Sequence, residues 1–180
     1  MTTLIVAATP EEAAYIPDGL PVLISGVGKT ATAARLAGVL TEGGVTEVVN
    51  VGTAGALRPG VSGLHLPGSV FNHEISADAL RVLGYDPVEW IDLPLGRDTV
   101  LASGDTFVTD VRVRERLAQV ADLVDMEGYA VAWTCRAFNI PVRLVKHVSD
   151  NADHEAMGWP DVVDRSARVL GDWLVANVTD

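Results

Sequence analysis

The chain has a single cysteine, Cys135. No internal disulfide framework can form, and a reducing compartment is expected. Basic residues are scarce as well: 13 Lys and Arg stand against 24 Asp and Glu, a formal net charge of −11. Such a surface repels phosphate backbones and anionic headgroups, so neither nucleic acid nor a membrane surface is an expected partner. No apolar run approaches the ~18 residues of a spanning helix. No basic leader precedes Met1-Thr2-Thr3, so a cytoplasmic location is expected. Low-complexity segments and fixed-period repeats are missing too.

What remains is a chain of 180 residues, 48% of them hydrophobic, enough to fill the core of one domain over residues 1–180. Leu4–Ala8 is a short apolar run ending at Thr9-Pro10, and Glu11-Glu12 follow where a helix could open. Pro21–Ser25 is a second strand candidate. It leads through Gly26-Val27-Gly28-Lys29 into an Ala-rich helix from Thr30 to about Leu40, stopped by Gly43-Gly44. Val45–Val51 is a third strand, broken at Gly52-Thr53-Ala54-Gly55. Residues 57–100 are punctuated by Gly60, Gly63, Gly68, Pro59 and Pro67 around short strands such as Ser69–Phe71, with a loop expected about Trp90. Farther on come a strand at Thr99–Ala102, a helix at Val111–Val120, a strand at Asp122–Met126, a helix at Gly128–Phe138, a strand at Pro141–Val148 and a helix from Pro160. Strands that are apolar on both faces and alternate with helices predict an α/β fold with a largely parallel sheet covered on both sides. Ligands in such folds sit at the carboxyl ends of strands, where Glu11-Glu12, Ser25-Gly26, Thr53–Gly55 and Ser149-Asp150 fall.

Three familiar motifs are only partial. Gly28-Lys29-Thr30 resembles the end of a phosphate-binding P-loop, but Leu23 stands where the first glycine belongs. Gly26-x-Gly28-x-x-Ala31 fits a loose dinucleotide fingerprint, but Asn50 stands near the position where an acidic residue would hold a ribose. The amides of this turn remain candidates for a small anion or polar ligand. His147, Asp150, Asp153 and His154 lack the spacing and the Cys pair of a structural zinc site, so no metal is expected. Asp125–Gly128 on its own is accounted for by acidic residues at a helix N-terminus.

Taken together, the motifs point further. Ala8-Thr9-Pro10-Glu11-Glu12, Ser25–Lys29, Asn50–Gly55, Ser103–Val108, Val124–Glu127 and Val148–Asp153 occur in that order over residues 8–153. In this the chain resembles the nucleoside phosphorylase and nucleosidase superfamily, specifically its 5′-methylthioadenosine/S-adenosylhomocysteine nucleosidase branch. The resemblance implies a three-layer nucleoside phosphorylase-like α/β fold, with a central twisted, mixed, mostly parallel sheet flanked by helices, usually a homodimer, a purine nucleoside as substrate, and no cofactor. It implies that Asp150 protonates the purine, Glu12 activates water, Met126 and Glu127 contact the ribose, Phe107 stacks on the base and Val108 reads its edge. Ser149 would steady Asp150, Thr53, Ala54 and Gly55 would line the substrate, and Lys146 stands where nucleosidases often carry an arginine near the water. Phosphorylases of the superfamily clamp phosphate with arginines, one just before the Gly-rich segment and one in the loop after the first strand. Here the first position is Asn50, and residues 9–14 hold no arginine, so hydrolysis is expected over phosphorolysis. The chain is short relative to the family between about Gly63 and Ser103, which leaves the 5′ substituent open. A phosphorylase, a futalosine hydrolase-like enzyme and a non-catalytic nucleoside-binding protein are the alternatives.

Overall fold

A computed structural model of the chain describes residues 2–153, 156 and 159–179, with only the backbone path at 159–161. Met1 and His154 lie outside the described residues. Among the described residues, nine strands and five helices follow one another: β1 (Thr2–Ala7), β2 (Val22–Ile24), α1 (Lys29–Glu42), β3 (Val45–Ala56), β4 (Leu64–His65), β5 (Pro67–Asn72), α2 (Ala77–Val82), β6 (Trp90–Asp92), β7 (Arg97–Ser103), α3 (Val111–Leu117), β8 (Leu123–Asp125), α4 (Gly128–Phe138), β9 (Val142–Asp150) and α5 (Trp159–Asn177). The strands form one sheet in the order β2-β1-β3-β8-β7-β5-β6, with β9 paired to β3 and to β4. The ladders β1/β2, β1/β3, β3/β9, β5/β7 and β7/β8 are parallel. The ladders β3/β8, β4/β9 and β5/β6 are antiparallel, so the sheet is mixed and mostly parallel, as the resemblance implies.

The layering follows from side-chain alternation. Leu4 and Val6 of β1, Val48 of β3 and Leu144 of β9 enter one core with Leu36 and Leu40 of α1 and Val131, Ala132 and Cys135 of α4. Their neighbours Ile5, Ala7, Val49, Val51 and Val145 enter a second core with Leu170 and Leu174 of α5. These strands are therefore apolar on both faces because both faces are covered. Among the described residues, no helix is long and apolar enough to cross a membrane.

Three local expectations are corrected. Gly52–Gly55 does not break the third strand; β3 runs on to Ala56 because β9 pairs with it as far as Gly55. Glu11-Glu12 opens no helix: the segment is a run of turns. Trp90 is not in a loop but starts β6, pairing with Phe71 and stacking on its ring at 4.3 Å between centroids. The short helix α2 has no counterpart in the sequence pattern.

Candidate active site

Six strands end around one cavity of about 460 Å³. Glu12 and Thr9 come from the turns after β1, Val27 from the turn after β2, and Thr53, Ala54 and Gly55 from the last part of β3. Phe107 and Val108 follow β7, Asp125, Met126 and Glu127 close β8, and Ser149 and Asp150 close β9. The cavity thus unites every expected site residue except Lys146, which is not among its lining residues. Lys146 lies inside the wall, 1% exposed.

The last part of β3 supplies the backbone approach. A Cβ on Gly52 would lie 3.3 Å from both Glu12 Oε1 and Lys146 Nζ, and one on Gly55 would lie 2.9 Å from Asp150 Oδ1. Glycine at these two positions lets a carboxylate rest against the strand itself. The β3/β9 register pairs Ala54 with Val148 but Gly55 with Asp150, leaving Ser149 extra. Such a bulge locally re-aims a strand, here at the two residues that end it.

Glu12 is 5% exposed. Its Oε1 accepts hydrogen bonds from Thr53 N at 2.7 Å and Thr53 Oγ1 at 2.8 Å, and its Oε2 accepts from Ala8 N at 3.3 Å. Asp150 is half-buried. Its Oδ2 accepts from Ser149 Oγ at 2.7 Å and its Oδ1 from Ala152 N at 2.8 Å.

Behind them lies a buried charged cluster. Asp125 accepts from Ser103 Oγ and from Gly128 N at 2.9 Å, and it pairs with Lys146 Nζ at 2.8 Å. The helix-terminus reading of this segment is thus correct for Asp125, which ties down the first amide of α4, but incomplete. Burial disfavours the Lys146 ammonium; the carboxylates of Asp125, Glu127 and Glu12 outweigh it and hold its pKa above the ordinary lysine value. Burial, aided by the Asp125 charge, pushes Glu127 up to about 7, against the opposing pull of Lys146 and of Gly28 N. Glu127 Oε1 accepts from Gly28 N at 2.7 Å. The Gly26–Lys29 turn therefore does bind an anion at a helix start, but that anion is the protein's own: Gly28 N meets Glu127, and Lys29 N meets Asp105 at 2.7 Å.

The roles of three residues, Lys29, Glu74 and Asp125, escaped the sequence reading. Lys29 pairs with Glu74 and, at 3.4 Å, with Asp105. Glu74 also accepts from Asp105 N at 2.8 Å and Thr106 N at 2.9 Å. These bonds hold the turn that carries Phe107; Lys29 and Asp105 stood in quoted motifs, but nothing in the sequence joined them to Glu74. Asp125 was visible in its motif but passed for a helix-end charge.

The fold defines an α/β protein whose main cavity lies at the carboxyl ends of its strands. The sequence matches the phosphorylase superfamily over residues 75–175, more than half its length, and the chain belongs to that superfamily. An aminodeoxyfutalosine nucleosidase of Helicobacter pylori is 26% identical over 88% of this chain and 80% of its own. A 5′-methylthioadenosine/S-adenosylhomocysteine nucleosidase of Buchnera aphidicola is 28% identical, the match covering 73% of this chain and 62% of that relative. Among solved structures, a mutant Helicobacter pylori nucleosidase with 5′-methylthioadenosine in its active site superposes with a TM-score of 0.86 at 24% identity, covering 97% of this chain and 96% of the other. A Streptococcus pneumoniae 5′-methylthioadenosine/S-adenosylhomocysteine nucleosidase with a transition-state inhibitor gives 0.78 at 26% identity, covering 97% and 98%.

Proposed function

We propose that the chain is a purine nucleosidase that hydrolyses the N-glycosidic bond of a nucleoside of the 5′-methylthioadenosine or S-adenosylhomocysteine type. The observation that carries this is the convergence of Glu12, Glu127 and Asp150 on one cavity that also presents Phe107 and Val108. A volume of about 460 Å³ lies within the roughly 300–1,000 Å³ of small-molecule sites.

The chemistry assigns each group a task. Breaking the bond between the anomeric carbon and the base nitrogen leaves positive charge on the sugar and sends the electron pair into the base. Asp150 gives its proton to a ring nitrogen, and the base departs neutral. Glu12 takes a proton from water, whose oxygen bonds to the anomeric carbon. Glu127, ionised, accepts from the ribose hydroxyls, with Met126 packed beside the sugar. Three carboxylates against one buried ammonium leave a field that favours the oxocarbenium-like state. Lys146 acts from within the wall, holding Asp125 and balancing Glu12 and Glu127.

Water is favoured over phosphate as nucleophile. Among the described residues none that lines the cavity is Lys or Arg. Asn50, at the phosphorylases' arginine position, is 2% exposed, with Nδ2 bonded to Val6 O at 3.0 Å. The reading also carries a homodimer, supported by the exposed Val27 and Phe107 at the cavity and checked by sedimentation.

The test is product analysis on 5′-methylthioadenosine, S-adenosylhomocysteine, an aminodeoxyfutalosine-type nucleoside and a 6-oxopurine nucleoside, with and without phosphate. Free base and free sugar, released without phosphate, are expected. Release of sugar 1-phosphate that requires phosphate would establish a phosphorylase, and tight binding without turnover a nucleoside-binding protein.

A further inference from the structure

Arg114 lines no part of the main cavity, yet it grips the segment that carries Asp150. It projects from α3, whose start is fixed by Asp110 accepting from Arg112 N at 2.7 Å. Its Nη1 donates to the Asn151 carbonyl oxygen at 3.3 Å and pairs with Asp153 Oδ2 at 3.4 Å. Both side chains are partly buried, at 26% and 16% exposure, where a charge pair is less screened than on an open surface. Together with Arg58, Arg114 borders a smaller neighbouring cavity of about 230 Å³, which also touches Asn151 and Asp153.

Between the two gripped residues sits Ala152, with φ at 50°. An alanine is strained in this left-handed conformation and persists there only when its surroundings hold it. Part of the hold is apolar: Ala152 is 1% exposed and packs with Leu57, Phe71, Val108 and Val124. The strained backbone has a consequence for the acid, because Ala152 N is the donor to Asp150 Oδ1 at 2.8 Å. The floor is equally close, since a Cβ on Gly55 would lie 3.0 Å from Ala152 Cβ.

We propose that Arg114 is a positioning residue: by gripping Asn151 and Asp153 on either side of Ala152, it holds the backbone that presents the Ala152 N–H to Asp150, and so aims the acid at the departing base. The inference rests on the nucleosidase reading. It assigns Arg114 no contact with substrate, so its effect must appear in the protonation step and not in binding.

The experiment compares wild type, Arg114→Met, Arg114→Lys and Asp153→Asn on two substrates. One is 5′-methylthioadenosine, whose base needs a proton to leave. The other is para-nitrophenyl riboside, whose phenolate leaves without one. Asp150→Asn serves as the benchmark for loss of the acid. Arg114→Met is expected to lose about 10-fold or more in kcat on the purine nucleoside, with KM nearly unchanged, because small misplacements of a reacting group are costly. Its rate on the nitrophenyl riboside is expected to match wild type. Arg114→Lys should recover part of the loss, and Asp153→Asn should reproduce the selective loss by releasing the grip from the other side. Equal losses on both substrates, or no loss on the purine nucleoside, would overturn the proposal. Should Arg114→Met not fold, the other two variants decide by the same criterion. A wild type inert toward every purine nucleoside would refute the nucleosidase reading and this inference with it; active wild type with unselective variants refutes this inference alone.

Discussion

Glu12, Asp125, Glu127 and Lys146 are each less than a tenth exposed and are held by strands or by the turns that directly follow them. Phe107 lines the same cavity but is 45% exposed, on a turn tied down by Lys29, Glu74 and Asp105. The buried charges touch one another and the backbone of β3, where a shift of any one disturbs its neighbours. The aromatic wall depends on ion pairs closer to water than Lys146–Asp125, whose side chains are only 1% exposed, and such pairs are weaker. Proton transfer needs fixed distances, whereas stacking on a base tolerates adjustment. The comparison thus predicts that changes in the buried set act on kcat and changes around Phe107 act on KM.

The largest effects are expected at the two residues to which the proposed mechanism gives the proton transfers. Asp150→Asn and Glu12→Gln should each lower kcat for purine nucleoside hydrolysis by about 10²–10⁴-fold, the usual contribution of a positioned acid or base, as read by release of free base. Gly55→Ala tests whether distance alone matters, because its new Cβ would lie 2.9 Å from Asp150 Oδ1. A fall of about 10²-fold in kcat is expected from a displacement on the order of 1 Å. An unchanged kcat would break the contrast between rigid and adjustable walls.

A pH profile sharpens it further. Burial, aided by the Asp125 charge, pushes Glu127 in the ligand-free protein up to about 7, and in the proposed reading its anion, with both oxygens free to accept, is the form that holds the ribose hydroxyls. Hence kcat/KM, which reports the free enzyme, should rise with pH through about 7, and Glu127→Gln should remove that limb. Stability runs the other way. The folded chain binds the Glu127 proton more tightly than the unfolded chain, whose carboxyl has the ordinary value of 4.5. This contribution is complete below 4.5 and is lost as pH rises to about 7, so the wild-type melting temperature should decline across that window relative to Glu127→Gln. The smallest effect is expected at the exposed wall: Lys29→Met or Glu74→Gln should raise KM by about twofold to fivefold with kcat nearly unchanged.

The same contrast explains what the sequence could tell. Buried strands announce themselves through apolar runs such as Leu4–Ala8 and Val142–Val148, and α4 could be read from Gly128 to Phe138 because Asn139, in the left-handed conformation, ends it. Glu12, Glu127 and Asp150 were legible because each sits where such a strand stops. The persistence of β3 through Gly52–Gly55 was not, since glycine favours a turn locally and the pairing with β9, joined by β8 at Gly55 and Ala56, makes the segment extended. Nor was the destination of the Gly28 amide, because Glu127 is 99 residues away in the chain. The roles of Lys29, Glu74 and Arg114 also depend on contacts across the fold, to which no local pattern points.

The account turns on Asp150 and Glu12 acting on one nucleoside from two sides. A crystal structure of the Asp150→Asn protein soaked with 5′-methylthioadenosine tests this most directly. The account predicts an uncleaved nucleoside in the cavity, the residue-150 side chain within hydrogen-bond distance of a ring nitrogen of the base, and Glu12 facing the anomeric carbon through a water on the other side. A nucleoside bound with its base turned away from residue 150, or bound elsewhere on the molecule, would contradict it.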